Sequence, residues 1–400
     1  MNALSEYVIN ANWHKSIFLL IEFINIIVFV FSGVKIMHLK NKSNYWKIAI
    51  LPIISYGICK GLRFGRDIDY NLYYDGYIWI GEDFFEANHE LLFKCINWLF
   101  YQAGAPYQCI ILFCSIFLIY VLMLFIKDNV KLAPLVLLFF IIETKSADNY
   151  IRWYLSFSFF FLSYLYLEKK ENNLSIIFSL CALFTHIGII VLYPILLFFK
   201  LLNKQLLSSK IVIGLFLVSL VLGEAQFLNF LVPYADIIFS ISEKTQVYAS
   251  RLEDLLAGNW SSGYIEISLI TSIKYFLAYS FPLYYYPKCV SIIKQKSFIA
   301  YNMFCLGIIT FPIFNTMELF DRYSKSLMFF SIIISSFSFY IAFKSFKRLF
   351  RLERLFCLIS FVAAIYPIFS FFFKDYKWYN TLFIWDAGKL YSLPTWLFIN

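Results

Sequence analysis

A chain of 400 residues that is 61% hydrophobic, 22% aromatic and only 15% charged carries more apolar surface than a water-soluble fold of its size can bury. Its mean hydropathy of +0.71, and apolar runs along nearly the whole length, predict an all-α, polytopic integral membrane protein of about 10–12 membrane helices. The net charge of +9 does not point to nucleic acid, because the basic residues stand in short clusters between apolar runs. The eight cysteines are scattered and form no C-x-x-C. With no Walker loop, no nucleotide-binding glycine fingerprint and no H-E-x-x-H, neither a cofactor nor a metal is expected.

The first apolar run, near residues 17–37, is too long for a signal-peptide core and lacks a small-x-small cleavage site, so it reads as a retained helix. Further spans are expected near 46–60, 107–126, 132–143, 152–167, 174–185, 187–202, 210–223, 264–287, 298–314, 323–343 and 352–373. Lysines and arginines collect at alternate ends of these runs. Lys35 to Lys47, Lys127 and Lys131, Lys169 and Lys170, Lys200 to Lys210, Lys288 to Lys296, and Lys344 to Arg354 all fall on one side. The positive-inside bias makes that side cytoplasmic. The expectation is one membrane domain over 1–400, with both termini and the segments 61–106, 224–263 and 374–400 outside.

Two runs are short. At ~1.5 Å per residue, 132–143 and 174–185 reach only ~20 Å against a hydrocarbon core of ~30 Å. Each is followed by another apolar run, which suggests hairpins of re-entrant type with polar apices. Those apices read "ETKSADNYIR", Glu143 to Arg152, and "THIG", Thr185 to Gly188. Irregular backbone at membrane depth is tolerated only inside protein or beside a watery cavity. The plainer alternative is ordinary spanning helices with longer ends.

Residues 61–90 set Arg63 and Arg66 against Asp67, Asp69, Asp75, Glu82, Asp83, Glu86 and Glu90, with tyrosines between. Such a segment is either a solvated loop or a site for a phosphorylated glycan. Arginine grips phosphate with a two-pronged fork, while Asp69, Tyr70 and Tyr73 offer groups for sugar hydroxyls and rings. Arg152 and Arg322 open apolar helices on the outer side, against the charge bias, and so ask for a reason beyond snorkelling. His186 stands deep in apolar sequence, "ALFTHIGIIVLY". It reads either as a hydrogen-bonded packing residue or as a base for a hydroxyl, its ring kept neutral by desolvation. Its second nitrogen is expected to meet a backbone carbonyl or an acid such as Asp148. His14, His38 and His89 lie at span ends or in loops and suggest nothing.

Taken together, "RFGRDIDYNLYY", "HELLFKCINWLFYQAG", "YIRWYLSFSFFFLSYLYL", "LCALFTHIGIIVLYPILL" and "FDRYSKSLMFF" resemble the signatures of the EpsG-like family of bacterial polysaccharide polymerases, related to Wzy-type O-antigen and capsule polymerases. The family has glycine two residues before the first aspartate of the Asp-Tyr pair; here Asp67 stands there. The resemblance implies a glycosyltransferase of the bacterial cytoplasmic membrane, its site facing the periplasm or cell exterior. The donor would be an oligosaccharide on undecaprenyl diphosphate, the acceptor a hydroxyl of a second repeat unit. It implies binding roles for Arg63, Arg66, Tyr70, Tyr73, Arg152 and Arg322, with the three signature arginines Arg63, Arg152 and Arg322 converging on one cavity. It fits His186 as base, with Asp69 and Glu143 next in line. Besides the lipid bilayer, a chain-length regulator is a candidate partner. An O-antigen ligase shares the donor. A flippase for lipid-linked oligosaccharides needs similar cations but tends to show repeated halves, which are not visible here. An acyltransferase would want a histidine-aspartate pair that the chain does not offer.

Overall fold

The computed structural model describes residues 11–65, 69–224, 269–290, 298–314, 318–374, 376 and 381–386. Among them the regular structure is helical, with one isolated antiparallel bridge and no strand. The chain is an all-α, polytopic membrane protein. Helices long and apolar enough to cross a bilayer include residues 12–37, Gln108–Asp128, Phe320–Lys344 and Arg351–Phe372. The chain divides into two compact units, one running to Leu196 and resuming at Ile368, the other covering Leu197–Pro367.

In the first unit α1 (Ala11–Met37) packs on α2 (Tyr45–Tyr56), which continues as one π-turn, Gly57–Gly61. π-turns widen a helix locally and often sit at functional sites. Two short helices follow, α3 (Tyr70–Glu82) and α4 (Leu91–Gln102). At ~18–20 Å each they cannot span, and they pack on each other instead. Gly81 allows this contact: a Cβ there would fall 2.1 Å from the Tyr101 ring. Gly104, at φ +67, ends α4 with Gly104 N–H to Tyr101 O and Ala105 N–H to Phe100 O, a Schellman cap. Leu72, Trp79, Leu91 and Leu99 remain exposed on these helices, and Phe85 in the turn between them, an apolar surface suited to a membrane face.

The centre of this unit is α5 (Gln108–Asp128), apolar on every side. It contacts α2, the π-turn and α7 (Ile151–Glu168). Before α7 comes α6 (Ala133–Glu143), packed on α1. α8 (Asn172–Thr185) lies along α7 and leads into a 3-10 segment, Ile187–Leu192, and α9 (Tyr193–Leu197). Phe64, Tyr70, Tyr77, Ile80, Phe93, Tyr107, Ile151 and Leu382 share one core.

The second unit holds α10 (Phe199–Leu202), α11 (Ser209–Glu224), α12 (Leu269–Cys289), α13 (Phe298–Phe314), α14 (Glu318–Met328) and α15 (Ser331–Lys344). It also takes most of α16 (Arg351–Phe372). Helix α13 packs on α11 and α14, and α12 on α15. The expected span 323–343 is divided between α14 and α15. The polar sequence of α14 extends the helix N-terminally to Glu318, and residues 329–330 form the joint. Of the segment expected outside at 224–263, all but Glu224 lies beyond the described residues.

Candidate functional site

The polar turn after α6 is the hub of the first unit. α6 ends where Thr144 Oγ1 donates to Phe140 O at 2.7 Å, and a 3-10 turn, Lys145–Asp148, reverses the chain. Asp148 Oδ1 lies 3.0 Å from Arg63 Nη1, and its Oδ2 3.6 Å from Lys60 Nζ. Lys60 Nζ in turn lies 2.7 Å from Glu22 Oε1 on α1. Charges alternate along Glu22, Lys60, Asp148 and Arg63. They must, because stripping one partner from a buried pair costs about 3–5 kcal/mol. A cavity of about 10 Å³ adjoins them, bounded among others by Tyr56, Cys114 and Tyr154; that is roughly one water molecule's space. The next residue, Asn149, accepts the Asp69 N–H on Oδ1 at 3.3 Å, so the turn also anchors the start of α3.

Three residues further, Arg152 sits in the first turn of α7. A cation there opposes the helix dipole, and an acid compensates it. Arg152 Nη1 lies 3.0 Å from Glu90 Oε2 and 2.9 Å from His89 Nδ1, with the guanidinium carbon 5.7 Å from the centre of the Phe93 ring. Glu90 is the N-cap residue of α4. Its other oxygen, Oε1, accepts the Ile187 N–H at 3.3 Å and stands 3.6 Å from His186 Nδ1. Burial pushes the Glu90 carboxyl up. Arg152 and then His186, together with backbone N–H groups, outweigh it and hold the group below the usual glutamate range.

His186 occupies a break between helices. Its extended backbone (φ −157, ψ 112) ends α8, and its Nδ1 accepts the Gly188 N–H at 3.1 Å, capping the 3-10 segment that follows. Trp153 meets the imidazole edge-on, centroids 5.3 Å apart. At 3.1 Å from a donor and 3.6 Å from a carboxylate, Nδ1 is an acceptor, which puts the ring proton on Nε2.

Residues 45–383 match the model of the EpsG family. The chain belongs to the EpsG family. That family is associated with polysaccharide polymerases, which gives this membrane protein a polysaccharide polymerase-like role. No curated protein and no solved structure matches the chain.

In this EpsG family member the sequence-predicted residues fall in different places. Arg152 and His186 meet through Glu90. Arg63, 1% exposed, joins the other charge cluster, and its backbone bridges Phe383. Asp69 is half-buried at the start of α3. Tyr70 lies in the core, its hydroxyl accepting from Gln108 Nε2 at 2.7 Å, and Tyr73 packs on that core from its edge. Arg322 lies on α14 in the second unit, beside a Lys325–Asp321 pair at 2.5 Å. Arg66 is outside the described residues. Among the described residues no three His, Cys, Asp or Glu side chains gather to hold a metal.

From the sequence Glu90 stood out only as one of seven acids in 61–90 and as the second residue of a signature segment, His89 was set aside, and Glu22 and Lys60 carried no expectation. Glu22 had a visible signal, an acid inside the apolar "IFLLIEFINII" of α1. Such residues inside membrane helices are functional candidates by default. His186 was expected to face a carbonyl or Asp148 with its second nitrogen. Its Nδ1 instead accepts a backbone N–H, with Glu90 as the neighbouring acid, because Asp148 is taken by Arg63 and Lys60.

Proposed function

We propose that this EpsG family member joins lipid-linked oligosaccharide repeat units into a surface polysaccharide, outside the cytoplasmic membrane. A hydroxyl of the acceptor unit attacks the anomeric carbon of a glycan carried on undecaprenyl diphosphate. The new C–O bond forms as the bond to phosphate breaks, the hydroxyl proton goes to a base, and the lipid diphosphate leaves. One observation carries this reading. A partly exposed arginine, Arg152, is held by Glu90 and His89 within reach of an imidazole, in segments that carry the family's signatures.

Each side chain has a role in this chemistry. Arg152 is 19% exposed, so it, rather than buried Arg63, can meet an incoming diphosphate and stabilise its growing charge. His186 serves as base through Nε2 in the tautomer that carries its proton on Nδ1 and donates it in a hydrogen bond to Glu90. Taking up that tautomer exchanges the Gly188 hydrogen bond for a carboxylate contact and closes the 3.6 Å separation. A carboxylate behind an imidazole fixes the tautomer and stabilises the imidazolium. Asp69, whose N–H is held by Asn149, and Tyr73, at the edge of the core, bind sugar hydroxyls.

Glycan length in a deletion strain tests the reading. Loss of a polymerase leaves surface glycan one repeat unit long. Loss of a flippase or a ligase leaves no surface glycan, and that result would overturn the proposal.

A further inference from the structure

We propose that Glu22, on the first helix and outside the span matched by the family, is a positioning residue for the transfer reaction; this rests on the function proposed above. The argument begins with charge. Lys60 and Arg63 both approach Asp148, at 3.6 and 3.0 Å. Asp148 is thus shared by two cations in a site where the arginine is 1% and the lysine 13% exposed. Glu22 gives Lys60 a second and closer anion, 2.7 Å from its Nζ and 4% exposed itself. With Lys60 satisfied by Glu22 at the shorter distance, Asp148 remains with Arg63.

The consequence passes along the chain. Asp148 closes the 3-10 turn that leads into α7, Asn149 holds the Asp69 N–H, and Arg152 follows within one turn of helix. Glu22 touches none of the groups assigned to the reaction. It sets the register of the turn that carries them. A second polar link, Ser55 Oγ donating to Asn25 Oδ1 at 2.8 Å, fixes the same helix against α2. The side of α1 that carries Glu22 is therefore held at two points, once to α2 through Ser55 and once to the π-turn through Lys60. Removing the Glu22 charge frees Lys60 to compete with Arg63 for Asp148, and the turn shifts. Displacing a reacting group by about 1 Å costs on the order of 10²-fold in rate.

Three variants test this in a deletion strain, with glycan length scored per amount of membrane-inserted protein: Glu22→Gln, Glu22→Gln with Lys60→Gln, and Arg152→Lys as the control for the reaction itself. Glu22→Gln is expected to shorten the glycan, or to fail to insert because Lys60 is left in excess. The double variant removes both charges, leaves the Arg63–Asp148 contact without Lys60 as a competitor, and is expected to insert and recover most of the length. Such rescue would not follow if Glu22 only filled space. Wild-type lengths from Glu22→Gln, or a double variant that inserts normally yet makes short glycan, would overturn the inference. Wild-type lengths from Arg152→Lys would instead count against the site assignment on which it rests.

Discussion

Arg152 and Glu90 lie 3.0 Å apart, Nη1 to Oε2, and this pair ties the start of α7 to the start of α4. The same carboxylate reaches Ile187 N–H and approaches His186 through its other oxygen. Glu90 is thus the point at which three signature segments, far apart in sequence, meet.

Replacing Arg152 by Lys keeps the charge but not the fork. Nη1 serves Glu90 and His89 together, and the planar group lies over Phe93. An ammonium point charge cannot keep these contacts and also offer a donor to a diphosphate. Polymerisation measured with membranes and a lipid-linked donor should fall on the order of 10²-fold. Unchanged rates would remove Arg152 from the reaction.

For His186 the informative substitution is Asn. Its side-chain oxygen can accept the Gly188 N–H as Nδ1 does, so the cap survives, yet an amide takes no proton at neutral pH. His186→Asn should insert normally and lose about 10²–10⁴-fold in rate. His186→Ala should lose the cap as well, with about 1 kcal/mol of stability. Full activity in the Asn variant would leave His186 as a cap alone.

Acidification should reveal the Glu90 pairing. Its folded-state pKa is depressed, Arg152 and His186 prevailing over burial, so on lowering the pH the unfolded chain takes up this proton first. The pairing therefore stabilises the fold fully above the ordinary glutamate range and is lost as pH falls through the depressed value. In detergent, the gap in melting temperature between the wild type and Glu90→Gln should be widest near neutrality and close in acid. A gap that widens in acid would contradict this sign.

Tyr70→Phe separates packing from binding. The ring lies in the core against Phe64 and Tyr107, and the substitution removes the hydroxyl that accepts from Gln108. Stability should drop by about 1–3 kcal/mol through the buried amide left unmatched, with glycan length unchanged at equal protein level. Short glycan from a well-inserted Tyr70→Phe would return this hydroxyl to the substrate site.

The side of the membrane is open to chemical labelling. Asn88 is exposed in the turn between α3 and α4. A cysteine placed there, in a chain with its eight native cysteines replaced, should react with an impermeant maleimide in intact spheroplasts. Reaction only after the membrane is broken would place this turn in the cytoplasm.

Much of the helical plan was legible because apolar length is a local property. The run expected at 107–126 is Gln108–Asp128, and that at 352–373 is Arg351–Phe372. The apex from Glu143 to Arg152 and the break at His186 were legible too, since polar residues interrupt apolar sequence there. Helix α3 was not, because its alternating tyrosines and acids carry little periodic apolar signal. The charge clusters were hidden for another reason. Lys60 finds Glu22 only because α1 and α2 pack side by side, and His89 matters only because α7 begins beside it. Pairings of that kind depend on which helices touch, and composition does not record it.

The bridge between Arg63 and Phe383 has a consequence for how the protein is made. Phe64 N–H donates to Leu382 O at 3.1 Å, and Ile384 N–H to Leu62 O at 2.9 Å. Residues near the start of the chain thus receive their backbone partners from residues that leave the ribosome near the end. Helices α1 to α9 can enter the membrane during synthesis, but the segment carrying Arg63 is completed only once residue 384 has emerged. Until residue 384 emerges, a nascent chain cannot close the bridge beside its own buried arginine, so this part of the unit closes only after the helices between have been made, although its sequence comes early.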